Sequence, residues 1–402
     1  MSSHPISPPE AWRRLCAATA PLPAERLPRR NARGRVLAED LRATVDVPPA
    51  DVSAMDGYGI AGTVAAGAAV PVAGTVAAGD PPGFALPPGQ AVQIMTGAPV
   101  PPEVERVVPV ERTERRGDTV CFVQASEKRR HIRRRGEVLE VGDPVMPAGT
   151  VLRAAALALA ATHGYGELSV IRTPTVSILA TGDEVVAPER EPRPGQLRDS
   201  HTDFLLAALA DRGYRTETLG IAPDDPDILE RHIRRGLEAD VLLVCGGVSA
   251  GEYDYAEGVL EKLGCESLFD AVAIQPGKPL VAATHPGGLV FGLPGNPASV
   301  MVSFTLFVLP LLRRLAGHEA DLLDEAQIGT LTFHLPAQGA RTKFLPVRVA
   351  PGDHPNPPQL HLLESKGSHD LAAYGKANAL LHRPADAPEA VPGDQAQFLS
   401  MP

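Results

Sequence analysis

Three stretches place glycines, acids and hydroxyls directly behind apolar runs: ILATGDEV (Ile178–Val185), VCGGVSAGEYDY (Val244–Tyr255) and FGLPGNPAS (Phe291–Ser299). In the first, Thr181, Gly182, Asp183 and Glu184 follow the run. In the second, Gly246, Gly247 and Gly251 allow backbone N–H groups to form a nest for phosphate, Ser249 adds a donor, and Asp254 falls in the first turn of the next helix. In the third, Pro294 and Gly295 make a turn, Asn296 is a favourable N-cap and Pro297 a favourable first helical residue, which predicts a helix whose unpaired N–H groups face outward. A further acid pair stands in APDDPDIL, where Asp225 precedes Pro226 and is placed to cap a helix, leaving Asp224 without a local duty. Glycine loops receive anions and acids repel them. Both suit one ligand if it is a phosphate or pyrophosphate carrying Mg²⁺, with N–H groups on the anion and carboxylates on the metal.

Each motif also has a plainer reading. PGNP is equally a rigid turn that starts a helix, and the acids Glu252 and Asp254 equally compensate a helix dipole. Only six of the 38 basic residues are lysine, so Lys278 in QPGKP resists the chain's preference for arginine; a compact ammonium on a phosphate explains it, as does a chance surface lysine. Asp56 in DVSAMDGY and Thr96 in QIMTGAPVP read as tight-turn residues. KRRHIRRRGE, Lys128–Glu137, is a solvated charged face that equally attracts a small oxyanion. No loop is a P-loop or a G-x-G-x-x-G fingerprint.

The elements that must position these loops alternate. Between about Pro174 and Ala316, the runs TVSILA, RTETLGIA, VLLVC, LVAA and LVFGL read as strands, and SHTDFLLAALADRG, DDPDILERHIRRGLE and DYAEGVLEKLG as helices; a long apolar helix follows Pro297. Such alternation predicts a mostly parallel sheet covered on both faces, with the three loops emerging on one edge beyond the strands' carboxyl ends. From about Thr44 to Gly149 the chain is dense in Pro, Gly and Val, with short extended runs such as AVQIM and TVCFVQ, which predicts β-rich modules. Segments near Glu10 to Arg30 and Leu152 to Gly164 read as helices packed in a separate layer, and the runs IGTLTFHL, KFLPVRVA, QLHLLES and ALLHRP predict a C-terminal β-barrel or sandwich.

At 402 residues the chain exceeds one ordinary core of roughly 100–200 residues. With 44% hydrophobic and 21% charged residues it reads as soluble and globular, and its net charge of −10 argues against nucleic-acid or membrane-surface binding. Cys16, Cys121, Cys245 and Cys265 have neither metal spacing nor disulfide density and read as reduced cytosolic thiols. The N-terminus lacks the apolar core of a signal peptide, so a cytoplasmic protein is expected. PASVMVSFTLFVLPLL is short of the roughly 20 residues a membrane span needs and is read as a buried core helix.

Taken in order, SAMDGY, IMTGAPVP, HIRRRGE, ILATGDEV, VCGGVSAGEYDY, QPGKP and GLPGNP closely resemble the molybdopterin molybdenumtransferase family, bacterial relatives of the gephyrin C-terminal region, and SKGSHDLAAYGKANAL extends the likeness into the C-terminal barrel. The resemblance implies an α/β plus β multidomain chain. Its parts would be an N-terminal helical/α+β layer (1–43 and 141–173), a β-rich domain (44–140), a three-layer α/β molybdopterin-binding domain (174–320) and a C-terminal β-barrel (321–402). It implies a homodimer whose cleft pairs the α/β domain of one subunit with the SAMDGY-bearing domain of the other, and a Mg²⁺-dependent insertion of molybdenum from molybdate into adenylylated molybdopterin with release of AMP. Transient contact with a molybdopterin adenylyltransferase would follow.

Carried over by motif, Asp56, Thr96, Glu184, Asp224 and Asp254 would be catalytic, the last three also as metal ligands. Thr181, Gly182, Ser200, Gly246, Gly247, Ser249, Gly251, Lys278, Gly295, Asn296, Arg133 and Arg134 would bind substrate, and Pro294 and Pro297 would shape the pocket wall. The sequence departs from the family at Val138, where an acid often follows the arginine run and whose role would pass to Glu140 or Asp143 or be dispensable, and at His201, where the family tends toward asparagine. Two other activities compete. An adenylyltransferase would resemble the α/β domain alone, and a scaffold would leave the ligand loops expendable.

Overall fold

The computed structural model describes residues 4–126, 130–247, 255–350 and 357–402. The chain forms two compact units, Met1–Glu25 with Ile171–Pro402, and Arg26–Val170. Helix α1 (Pro8–Ala17) opens the first. Ser7 caps it by accepting the Glu10 N–H at 3.3 Å, and Pro8 takes the first helical position. The helix ends at Ala17, and Ala24–Pro28 is a strand, so the helical reading as far as Arg30 fails where prolines 21 and 23 interrupt the pattern.

The Arg26–Val170 unit holds a six-stranded sheet of β1 (Gly57–Ile60), β2 (Ala69–Val76), β3 (Ala91–Ile94), β4 (Arg106–Pro109), β5 (Thr113–Arg116) and β6 (Thr119–Phe122), ordered β4-β1-β3-β2-β6-β5. It also holds helix α2 (Ala154–Thr162), whose Ala160 packs with Leu37, Leu152, Leu168 and Val170. The β-rich expectation for this stretch is met.

In the other unit the chain continues through β7 (Thr175–Thr181), α3 (His201–Ala210), β8 (Arg215–Ala222), α4 (Pro226–Gly236), β9 (Val241–Cys245), α5 (Tyr255–Lys262), β10 (Glu266–Phe269), β11 (Val281–His285), β12 (Gly288–Leu293) and the long helix α6 (Pro297–Leu315). The sheet order is β8-β7-β9-β12-β11-β10. The first four strands are parallel, as the mostly parallel expectation has it; β11 alone runs the other way and pairs antiparallel with both β12 and β10. Successive residues of β9 serve opposite faces. Val241 and Leu243 pack against α1, α3 and α6, while Leu242 and Val244 pack against α4 and α5. The result is three layers.

α6 is apolar and long enough to cross a membrane, but 89% of its most apolar window is buried in this core, as the sequence reading expects. It widens to π-helical pairing across Phe304–Val308, just ahead of Pro310, whose missing N–H and bulky ring prevent regular pairing with Leu306. The C-terminal strands β13 (Gln327–Leu331), β14 (Thr342–Ala350), β15 (Gln359–Leu362), β16 (Ala379–Arg383) and β17 (Gln395–Ser400) close on themselves. Pairings run β13–β15–β14–β16–β17 and back to β13, a five-stranded barrel around Leu331, Val347, Leu360, Leu381 and Phe398. A short helix, α7 (Leu371–Tyr374), lies between β15 and β16.

Candidate functional site

β7, β9 and β12 are adjacent and parallel, so the three loops read from sequence do emerge along one sheet edge. At the middle strands the backbones nearly touch. Gly246 has φ +91°, and a Cβ there would fall 2.8 Å from the Thr181 carbonyl oxygen, so only glycine fits; Gly247, at φ +60°, continues the turn. Thr181 is buried and donates its hydroxyl to the Cys245 carbonyl at 3.5 Å, tying the ends of β7 and β9 together. Ser249, Gly251 and Asp254 lie outside the described residues.

The acids collect at the ends of β7 and β8. The Asp183 N–H donates to Asp224 Oδ2 at 3.4 Å and the Asp224 N–H donates to Asp183 Oδ1 at 3.2 Å. Glu184 folds back over Gly182, where a Cβ would meet its Oε2 at 2.6 Å. Burial first, then the charges of Asp183 and Glu184, push the Asp224 carboxyl above its ordinary value despite the Asp183 N–H. Asp225 is occupied as the α4 cap, accepting the N–H groups of Asp227 and Ile228 at 3.0 and 2.9 Å, so Asp224 is the member of the pair not spent on the cap, as its position predicts. No group of three metal-ligating side chains is already gathered among the described residues. Glu184 and Asp224 supply two hard oxygen donors, the number Mg²⁺ ordinarily takes from protein when substrate phosphates and water complete its shell.

At α3, Asp199 accepts the N–H groups of His201 and Thr202 at 3.0 and 3.1 Å, so the Ser200 hydroxyl is not spent on capping. Burial lowers the His201 imidazole below its ordinary value against the pull of Asp199.

The third loop differs from its prediction. Asn296 stands at the N-cap of α6 without a side-chain cap bond. Pro297 has no N–H; Ala298 donates to the Ser368 carbonyl at 3.1 Å, and Ser299 and Val300 donate to the Asn296 carbonyl at 3.0 and 3.1 Å. The first-turn N–H groups are therefore all engaged, which overturns the expected outward-facing donors. Positive charge comes instead from side chains. The strand Ile274–Gln275 runs parallel to the start of β14, setting Gln275 beside Lys343, and a cavity of about 380 Å³ opens there. Lys278, Arg341 and Lys343 line it with Pro294, Asn296 and Ser299, and Ser365, Gly367 and Ser368 close another side. The sequence reading missed Arg341 and Lys343. Their signal was present: Lys343 is another of the six lysines in an arginine-rich chain, and Arg341 and Lys343 alternate toward one face.

In the Arg26–Val170 unit the structure joins Asp56 to Thr96: the Thr96 N–H and hydroxyl both donate to Asp56 Oδ1, at 2.6 and 2.8 Å, and hold that carboxyl below its ordinary value. Oδ2 is left over. Within the arginine run, Arg134 pairs with Asp51 and Arg135 with Asp46, while Arg133 has no ion pair among the described residues. Val138 is 69% exposed; Asp143 accepts the Glu140 N–H at 2.8 Å, and Glu140 lies against Gly136.

Two family models match the chain: "MoeA N-terminal region (domain I and II)" over residues 6–164 and "Probable molybdopterin binding domain" over residues 177–314. A Mycobacterium tuberculosis protein named molybdopterin molybdenumtransferase 2 is 35% identical over 391 residues, covering 92% of this chain and 93% of that one. A Synechococcus elongatus molybdopterin molybdenumtransferase is 39% identical over 310 residues, covering 73% and 76%. Two solved structures of a Pyrococcus horikoshii molybdopterin biosynthesis MoeA protein superpose with TM-scores of 0.81 and 0.80 at 28% and 26% identity, covering 99% and 98% of this chain and 99% of each of theirs.

Proposed function

The chain belongs to the molybdopterin molybdenumtransferase family, and from that premise we propose that it inserts molybdenum from molybdate into adenylylated molybdopterin and releases AMP. The observation that carries this reading is the division of one sheet edge into an acidic and a basic end. The acids follow β7 and β8, and the basic cavity lies beyond β12. From β8 to β12 are three strand spacings, about 14 Å. An extended ligand with a phosphoanhydride at one end and a dithiolene at the other suits such a span.

Lys278, Arg341 and Lys343 would hold molybdate, with the serine hydroxyls of the opposite wall orienting its oxygens. Glu184 and Asp224 would hold Mg²⁺, together with Asp254. Mg²⁺ would neutralise the phosphates and the leaving adenylate. Thr181, Gly246 and Gly247 form a close-packed turn against which the middle of the ligand lies without a side chain intervening. The Ser200 hydroxyl remains available to it.

The same reading takes the working form to be a cytoplasmic homodimer in which Asp56 Oδ2, Thr96 and Arg133 serve the partner's cleft, with an adenylyltransferase in transient contact to deliver substrate. Burial of α6 in the core supports a protein outside the membrane.

The test is AMP release from adenylylated molybdopterin with Mg²⁺, with and without micromolar molybdate. Molybdate-dependent release that falls about 100-fold in Arg341→Ala supports the reading. Release that ignores molybdate, or no release at all, overturns it.

A further inference from the structure

One wall of the basic cavity is held from behind by a carboxylate that does not line it. Asp370 Oδ2 accepts the Lys366 N–H at 2.9 Å, its Oδ1 accepts the Ala373 N–H at 3.1 Å, and its own N–H donates to the Gly367 carbonyl at 3.1 Å. One side chain thus fixes the Ser365–Ser368 loop with one oxygen and caps α7 with the other. The loop has little else to set its shape. Gly367 adopts φ +126°, and the Ser365 hydroxyl reaches across the turn, accepting the Gly367 N–H and donating to the Gly367 carbonyl, each at 3.2 Å. Beyond the turn, the Ser368 carbonyl receives the Ala298 N–H and so engages the first turn of α6. These donors hold the Asp370 carboxyl below its ordinary range, the Lys366 N–H foremost.

We propose that Asp370 is a positioning residue for the oxyanion substrate: by holding the Ser365–Ser368 loop it sets Ser365 and Ser368 against Lys278, Arg341 and Lys343. The inference rests on the reading of this cavity as the oxyanion site. Affinity for molybdate then depends on a carboxylate that molybdate does not touch. The negative charge is tolerated behind an anion pocket because both oxygens accept backbone N–H groups.

Two substitutions separate positioning from capping. Asp370→Asn retains one oxygen for the cap while facing an N–H with an N–H, and Asp370→Ser is a good N-cap residue too short to reach Lys366 as well. With the full chain, molybdate binding is measured by calorimetry and AMP release is followed against molybdate concentration. Both variants are expected to raise the molybdate Kd and half-saturating concentration roughly fivefold, with kcat within about twofold and Tm within about 2 °C of the parent. Unchanged molybdate affinity in both variants overturns the proposal, as does a loss of affinity matched by equal losses in kcat and Tm. Arg341→Ala tells the two failures apart. If it weakens molybdate binding and the Asp370 variants do not, only the positioning role falls; if it too has no effect, the cavity is not the oxyanion site and both readings fall.

Discussion

The two ends of one sheet treat the same side chain in opposite ways. At the amino end, Asp240 just before β9 accepts a bidentate pair from Arg172 at 2.7 Å each, together with the Thr175 N–H at 2.7 Å and hydroxyl at 2.8 Å. At the carboxyl end, Asp183, Glu184 and Asp224 face one another, and no cation pairs with any of them among the described residues. Burial pushes the Asp240 carboxyl up, but Arg172 and Thr175 overcome it and leave the carboxyl below its ordinary value; for Asp224 burial prevails and the neighbours add to it. A carboxylate closed by protein donors belongs to the fold. One left among its own kind costs the fold stability and is what the proposed Mg²⁺ site would draw on.

That contrast is open to direct attack. Asp224→Asn or Glu184→Gln is expected to lower molybdate-dependent AMP release about 100-fold or more while leaving Tm unchanged or slightly raised. A Tm that fell along with activity would make the carboxyl end a structural copy of the amino end. Asp240→Asn should do the reverse: a loss of about 2–3 kcal/mol in urea unfolding, because Arg172 is left poorly paired, with activity intact.

The two ends should also answer pH with opposite slopes. The lowered Asp240 pKa contributes stability that is present above the ordinary aspartate range and lost as pH falls through it, so Asp240→Asn and the parent converge in acid. The raised Asp224 pKa contributes stability that is present in acid and lost as pH rises through its folded value, so Asp224→Asn should gain on the parent toward neutrality. Thermal melts across the acid-to-neutral range read both. The smallest effect separates two helix starts: Asp225→Ala should cost about 1 kcal/mol, and Asn296→Ala only a few tenths, since Asn296 makes no side-chain cap bond.

Features set by near neighbours in sequence were legible. The ligand loops stand immediately behind apolar runs, and the Asp225 cap lies one residue before its helix, so local pattern located them. Where the deciding partner lies far along the chain, the pattern was silent. Nothing near Asn296 tells that Ser368 will take the Ala298 N–H, and LVAA and LVFGL carry the same apolar signal whichever way they run. The basic cavity is divided between QPGKP and β14, and only their pairing at Gln275 and Lys343 brings the three cations together. The arginine run was legible as charge but not as pairing. Its charge was conspicuous, yet Arg134 and Arg135 are taken up by Asp51 and Asp46.

Ring closure of the barrel governs when the cavity can exist during synthesis. β17 bonds to both β16 and β13, so Gln395–Ser400 must clear the ribosome before β13 finds its second neighbour. Arg341, Lys343 and the Asp370-held loop all lie inside that unfinished ring. The three-layer sheet, whose strands and helices are complete by Leu315, can assemble while the chain is still growing. The acidic end of the sheet thus has all its elements in the chain before the basic cavity does, because the ring that carries Arg341 and Lys343 closes only with its last strand.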